Sequence, residues 1–426
     1  MNFHTYHERT KHSYTSIRQN ASYMDWNNQP SQYKCYRDKF EHINLNDQIQ
    51  AHRFIYRIGG ISAKKSYSSG EYFLRTNPSA GALFPNEIYF QVRGVDGFVD
   101  GIYHFEVKTS SVVLLYSLDE DGVERYLGLK NAVEGFIFLT SAVYFRSSWK
   151  YKDRAFRYCL LDGGHILGQI EASSYLMDFA VRHLYCFDKV SLNKIFGFED
   201  REFFISASVV GVPRGELPES VKFLVPFVDG TGIFIANKIV EEVYENTLIC
   251  HEKRANNRAS HFNFRKDVFE ETIFRRRSIR EMHKEGISKE SFDFIIDTVN
   301  QSVMSDCDEK VEIFVIVNRV IDMPLGVYHD GKFIKHGDFS RKAGYLCLEQ
   351  YHLGENSALT IFLASKSKNY QAMYQKAGII GNRIYLSANY LHIGCSGIGA
   401  YYDDEVSEFL ELDSEYMILY GICVGN

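Results

Sequence analysis

Asn86-Glu87-Ile88-Tyr89-Phe90-Gln91-Val92 alternates apolar and polar side chains over seven positions, the period of a β-strand with two unlike faces. The pattern returns 225 residues later as Val311-Glu312-Ile313-Phe314-Val315-Ile316-Val317. The same offset carries Gly101-Ile102-Tyr103-His104 onto Gly326-Val327-Tyr328-His329. Two matches at one spacing indicate an internal repeat. A third strand pair follows at a slightly shifted spacing, Gly135-Phe136-Ile137-Phe138-Leu139-Thr140 against Ala358-Leu359-Thr360-Ile361-Phe362-Leu363.

Each half then predicts a long helix, over about 156–179 and about 374–391. Leu160, Leu161, Ile166, Leu167, Ile170 and Leu176 mark a wide apolar face in the first, and Ile379, Ile380, Ile384, Leu386 and Leu391 in the second. Gly163, Gly164 and Gly168, and Gly378 and Gly381, allow close helix–helix approach, which suits helices at an interface between the halves. A final apolar strand closes each half, over 205–212 and 417–424. Strands, a long helix and a last strand, given twice, predict an α+β fold in two tandem copies. The expected division is an N-terminal arm at 1–50, a first domain at 51–245, a charged and Asn-rich linker at 246–266 and a second domain at 267–426.

Composition narrows the function. A net charge of −6 speaks against bulk electrostatic binding to nucleic acid. No apolar run is long enough for a membrane span, and the start of the chain has no apolar signal segment. Eight cysteines occur at irregular spacings without a CxxC pair, and are expected to be reduced thiols in a cytoplasmic protein. His4, His7 and His12 lack companions that would complete a metal site, so no metal is expected. The 29 Tyr and 32 Phe are expected to fill core and interface, with a remainder available for a flat apolar ligand.

Four segments carry candidate chemistry. In Arg276-Arg277-Ser278-Ile279-Arg280, Ser278 is expected to cap a helix and the arginines to grip a phosphate; a solvated basic turn is the plainer alternative. Arg75-Thr76-Asn77-Pro78-Ser79-Ala80-Gly81-Ala82-Leu83-Phe84-Pro85 predicts a rigid turn with bare backbone, suited to a flat ring or a phosphate or simply to a tight entry into the strand. Gly394-Cys395-Ser396-Gly397-Ile398-Gly399-Ala400 predicts a glycine-rich turn after the second long helix. Trp149-Lys150-Tyr151-Lys152 taken alone is a solvated edge ahead of the first long helix.

Taken together these segments resemble the nitroreductase-like flavoprotein superfamily, and in particular the SagB-type or McbC-like azoline dehydrogenases. The resemblance runs over nearly the whole chain. Tyr6 to His12 and Asp25-Trp26 resemble that branch's lead-in; Arg75 to Leu83 is close to its "RxxPSAGAL" signature; Phe145 to His165 is close to its second long signature; and Arg276 to Arg280 is similar to the superfamily's phosphate motif.

The resemblance implies two tandem nitroreductase-like domains forming an intrachain pseudo-dimer, with FMN held by Arg276, Arg277, Ser278, Arg280, Gly397, Ile398 and Gly399 from the second half and by Arg75, Pro78, Ser79, Ala80 and Gly81 from the first. One FMN per chain is expected, because Val303-Met304-Ser305-Asp306 and His52-Arg53 are poor counterparts for a reciprocal site. Lys150 and Tyr151 match the branch's catalytic pair. Aromatising a thiazoline or oxazoline removes a proton and a hydride from adjacent ring carbons, and a lysine serves as base if burial depresses its pKa. The implied substrate is peptide-derived or carrier-bound, the acceptor O2, and the partners other natural-product enzymes, with further self-association through aromatic patches left open. The competing readings are an NAD(P)H-dependent nitro or quinone reductase and a flavin-poor scaffold subunit.

Overall fold

The computed structural model describes residues 1–19, 24–37, 39–67, 70–251 and 254–426. Glu252 and Lys253 of the expected linker, and residues 20–23 and 38 of the expected arm, lie outside the described residues. The chain forms two compact units. The first comprises Met24–Ser260 with Ser302–Asp308, and Met1; the second comprises Asn2–Tyr23, His261–Gln301 and Glu309–Asn426.

Each unit is built on one antiparallel sheet. In the first, the strand order is Glu41–Asn44, Ser111–Ser117, Gly101–Glu106, Asn86–Arg93, Ala132–Ala142, Phe203–Arg214, Arg182–Leu184. In the second it is Lys332–His336, Gly326–His329, Glu312–Val317, Leu359–Ser365, Met417–Gly425, Gly394–Ile398. Six positions correspond one to one, and they include all three strand pairs that repeat in sequence. The first sheet has one additional edge strand, Glu41–Asn44. Both units are therefore mixed α+β folds with the same strand order.

Both sheets are covered by helices, so their central strands are buried at nearly every position. In the first unit the aromatic residues go into the core. Phe54, Phe90, Phe136 and Phe138 pack together on one side of the sheet. Tyr89 meets His104, Phe196, Phe198 and Phe204 on the other. The long helices span Ala155–Leu176 and Tyr370–Tyr390. Ala155 through Ser174 are all buried, as are Tyr370 through Ala388 apart from Lys376, which is why neither helix shows a clean polar face in sequence. No described helix is long and apolar enough to cross a membrane.

Residues 1–50 do not share one environment. The helix Phe3–Arg9 is capped by Asn2 and packs Phe3, Tyr6 and His7 against Tyr370 and Tyr374 of the second unit's long helix. Residues from Met24 onward fold with the first unit.

The cysteines depart from expectation. Cys186 and Cys250, 64 residues apart, form a disulfide; Cys35, Cys159, Cys307, Cys347, Cys395 and Cys423 are in no disulfide. The turn after the edge strand Arg182–Leu184 and the chain beyond the helix Lys238–Asn246 bring the pair together, a proximity that sequence spacing does not encode.

The ring of Phe138 is fully buried among its aromatic neighbours. Phe138→Ala is expected to lower the stability of the first unit by about 3–5 kcal/mol through the cavity it leaves, read as a fall in urea midpoint at unchanged m-value.

Candidate functional site

In the first unit, chemistry gathers where the loop 75–85 meets the helix Phe145–Tyr151 and the long helix Ala155–Leu176. The loop is a run of unusual backbone. Gly81, Ala82 and Phe84 have φ of 62°, 52° and 46°. For Ala82 and Phe84 that conformation costs roughly 1–2 kcal/mol each. Such strain persists only where surrounding contacts fix it.

Those contacts are specific. Ser79 Oγ donates to Asp162 Oδ2 at 2.6 Å, and the Ala80 amide lies 3.2 Å from both oxygens of the same carboxyl group. Ser79 Oγ also accepts the Phe84 amide at 2.9 Å. Gln32 Nε2 donates to the Ala82 carbonyl at 2.6 Å. Arg75 is buried, donates to the Gln32 carbonyl at 2.7 Å and stacks on the Phe84 ring at 4.4 Å; burial lowers its pKa to about 10. Its hydrogen bond and ring contact are thus with the protein's own lead-in and loop.

A Cβ placed on Gly81 would lie 2.8 Å from Tyr151 Oη and 3.0 Å from Lys150 Nζ. Both functional groups of the Lys-Tyr pair therefore converge on the bare backbone of Gly81. Neither residue is a solvated edge; both are partly buried. Their helix is held by its neighbours: Trp149 Nε1 donates to the Asp25 carbonyl at 3.0 Å and its ring meets Trp26.

Arg146, four residues before Lys150, locks the helix to the loop. Its guanidinium is fully buried, pairs with Glu87 Oε1 at 2.6 Å, and donates to the carbonyls of Ser31, Phe84 and Gly230 at 2.8, 2.9 and 2.9 Å. Glu87 also meets His104 Nε2 at 2.8 Å. Burial alone would raise the Glu87 pKa, but Arg146, His104 and Arg75 outweigh it and hold the carboxyl group well below its usual range.

In the second unit, Arg276–Arg280 and Gly394–Gly399 come together. The route differs from the expectation in two respects. Ser278 caps no helix: the segment follows the helix Lys266–Arg275, whose last turn ends at Arg276, and the next helix begins at Lys289. Gly394–Ile398 is not a turn but an edge strand paired with Met417–Gly425. Glycine serves close packing there. A Cβ on Gly397 would lie 1.9 Å from Tyr420 Oη, and one on Gly394 2.3 Å from Ile279 Cδ1.

Tyr385 joins the two segments. Its hydroxyl accepts the Gly397 amide at 2.6 Å and lies 2.8 Å from Ser278 Oγ, while Arg276 stands 5.4 Å from its ring. The Ile279 amide donates to the Cys395 carbonyl at 3.1 Å. Arg276 is buried, and desolvation lowers its pKa to about 10. Arg277 is half-buried and donates to the Phe274 carbonyl at 2.9 Å, and Arg280 is exposed.

Val303-Met304-Ser305-Asp306 belongs to the first unit. Ser305 bridges His183 and Asn256, and Asp306 accepts the amides of Tyr185 and Cys186 at 2.9 and 3.0 Å. Among the described residues no group of three or more His, Cys, Asp or Glu could hold a metal ion.

Asp162 and Arg146, which lie within the segment Phe145 to His165, and Tyr385 had no role assigned from sequence. A carboxylate inside an apolar helix was a usable signal for Asp162. Tyr385 carried none, since tyrosine is common in buried helices.

Arg146→Leu strands the buried Glu87 and is expected to destabilise the first unit by about 3–5 kcal/mol, measured by urea unfolding. Gly81→Ala should fold, at a cost of about 1–2 kcal/mol for its left-handed backbone, and push the Lys150 and Tyr151 side chains apart, seen as displaced side-chain density in a crystal structure.

Comparison with known proteins agrees with this architecture. A Methanocaldococcus jannaschii protein provisionally named a nitroreductase is 38% identical over 108 residues, 24% of this chain. That alignment spans 52% of the relative, about half its own length. A provisionally named nitroreductase from Anabaena variabilis, known from its crystal structure, superposes with a TM-score of 0.81, covering 99% of this chain and 98% of its own at 24% identity. That likeness shows the fold over the full chain. Residues 273–426, which carry both the arginine segment and the glycine strand, match the sequence model of the Nitroreductase family.

Proposed function

We propose that the chain is an FMN-dependent oxidoreductase that oxidises thiazoline or oxazoline rings in a peptide-derived or carrier-bound substrate, with O2 as acceptor. The observation that carries this reading is the convergence of Lys150 Nζ and Tyr151 Oη on Gly81. An amine and a phenol at one point of strained, bare backbone suit a base beside a flat ring better than they suit a structural role.

The residues present fit the cofactor. In the second unit, a desolvated guanidinium at Arg276, a second at Arg277 and the Ser278 hydroxyl form a donor set for a phosphate. The charge that burial disfavours at Arg276 is restored by an anion. In the first unit, Pro78, Ser79, Ala80 and Gly81 offer backbone with little side chain above it. Arg75 supports that loop; in the second unit Arg280, Gly397, Ile398 and Gly399 are proposed contacts beside the phosphate donors. Bound FMN supplies a hydride acceptor. Lys150 takes the proton from the adjacent ring carbon, and Tyr151, whose ring stacks on Tyr158 at 4.1 Å, holds the phenol that orients the ring or relays that proton.

A second reading, an NAD(P)H-dependent reductase of nitro or quinone compounds, is favoured by the family match at 273–426. It uses the same phosphate donors and gives Lys150 no role in proton removal.

The purified protein is expected to be yellow and to release about one FMN per chain. Lys150→Ala should keep the flavin and lose azoline oxidation by about 10²–10⁴-fold, followed as loss of two hydrogens by mass spectrometry. Unchanged turnover in that variant, with NAD(P)H-driven nitro reduction in the native protein, would install the second reading. Arg276→Ala should weaken FMN retention; equal flavin content in variant and native protein would remove Arg276 from the site.

A further inference from the structure

Asp162 takes no part in the proton transfer proposed above, yet it is the buried carboxyl group from which the strained loop hangs. It receives the Ser79 hydroxyl and the Ala80 amide, and Ser79 passes the constraint on by accepting the Phe84 amide. Between those two anchors lie Gly81, where Lys150 and Tyr151 converge, and the left-handed Ala82.

We propose that Asp162 is the positioning residue of this loop: as a carboxylate it holds Ser79 and Ala80 so that Gly81 stays against Lys150 and Tyr151, and on taking up a proton it releases them, making cofactor retention depend on pH. The inference rests on the reading that the loop meets FMN.

The chemistry follows from the donors and acceptors present. A carboxylate accepts at both oxygens; a carboxylic acid turns one of them into a donor. The Ala80 amide cannot reverse its direction, so protonation leaves one accepting oxygen between the two loop donors and makes the Ser79 hydroxyl give up its bond or turn round to accept. The groups facing Asp162 are the Ser79 hydroxyl and Ala80 amide from the loop and the Cys159 thiol from its own helix, the thiol being pushed up by burial and by Asp162. Arg157, Tyr158 and His165 are the other buried titratable groups on that stretch of helix, and Lys150 and Tyr151 approach the loop at Gly81. Burial raises the Asp162 pKa to about 7, against the opposing pull of the Ser79 and Ala80 hydrogen bonds. The carboxylate, and with it the held loop, therefore prevails above neutrality and is lost as the pH falls through that value.

The test is FMN binding to the full chain, followed by quenching of flavin fluorescence from about pH 5 to about pH 9, for the native protein and Asp162→Asn. Asparagine has the shape of the protonated acid and does not titrate. The ratio of the two dissociation constants cancels the ionisation of the FMN phosphate, which is common to both. The ratio is expected to be near one at low pH and to rise to about tenfold at high pH, with its midpoint near neutrality. A ratio that stays constant across the range overturns the proposal, because it assigns Asp162 a fixed structural role. Ser79→Ala gives a second route if Asp162→Asn does not fold. It removes a donor that favours the carboxylate, so the midpoint of the pH dependence should move upward; an unmoved midpoint also overturns the proposal. A native protein that binds no FMN at any pH overturns the cofactor reading itself, and that failure is separable because it appears without any substitution.

Discussion

The buried ion pair between Arg146 and Glu87 is the constraint on which the first unit's site depends. Neither charge could be left alone in that environment: the idealised cost of moving one such ion into a dry interior is on the order of 20 kcal/mol. Together, and with His104 sharing Glu87, they offset each other's charge. The pair is also a four-way joint. Through Arg146 it ties the helix that carries Lys150 to the strand that carries Glu87, to the end of the loop at Phe84, and to the segments at Ser31 and Gly230. The helix that carries Lys150 and the end of the loop that carries Gly81 are thus fastened to the same guanidinium.

The two units use one sheet plan for different ends. In the first, the edge position after the long helix is filled by the short strand Arg182–Leu184; in the second, by the glycine-rich strand Gly394–Ile398. At that edge the second unit admits Tyr420 and Ile279 where side chains would collide, and fastens the strand to Ser278 through Tyr385. The first unit has its specialised backbone elsewhere, ahead of the strand Asn86–Arg93. One strand order is thus elaborated at two different corners.

Much of the fold was legible because strand alternation survives divergence. Asn86–Val92 and Val311–Val317 hold a buried central position, where each side chain has a fixed neighbour, so their pattern persists at a constant offset. The long helices were legible from length and apolarity, although their burial on all faces blurred their ends by a few residues. What failed were features set by tertiary proximity. Glycine at 394 and 397 reads as a turn because sequence shows flexibility but not the Ile279 and Tyr420 side chains that demand it. Ser278 reads as a cap because the residue type suits one, while no helix follows. Cys186 and Cys250 find each other only once two distant connections are folded. At the candidate site, the segments themselves stand out by residue type and spacing; of the groups that brace them, Asp162 left a signal as a carboxylate inside an apolar helix, while Arg146 and Tyr385 left none, because a bracing residue is defined by what it touches.

The first unit includes Ser302–Asp308, a short length of chain bounded on both sides by the second unit. During synthesis the first unit therefore cannot complete its edge at His183 when the ribosome has passed Ser260; it must wait for Ser305 and Asp306 to emerge. The second unit, in turn, packs the early helix Phe3–Arg9 against its long helix and closes with the strand Met417–Gly425. Maturation of the two halves is interleaved in time, and a nascent chain spends the interval with an open strand edge that only its own later residues can close.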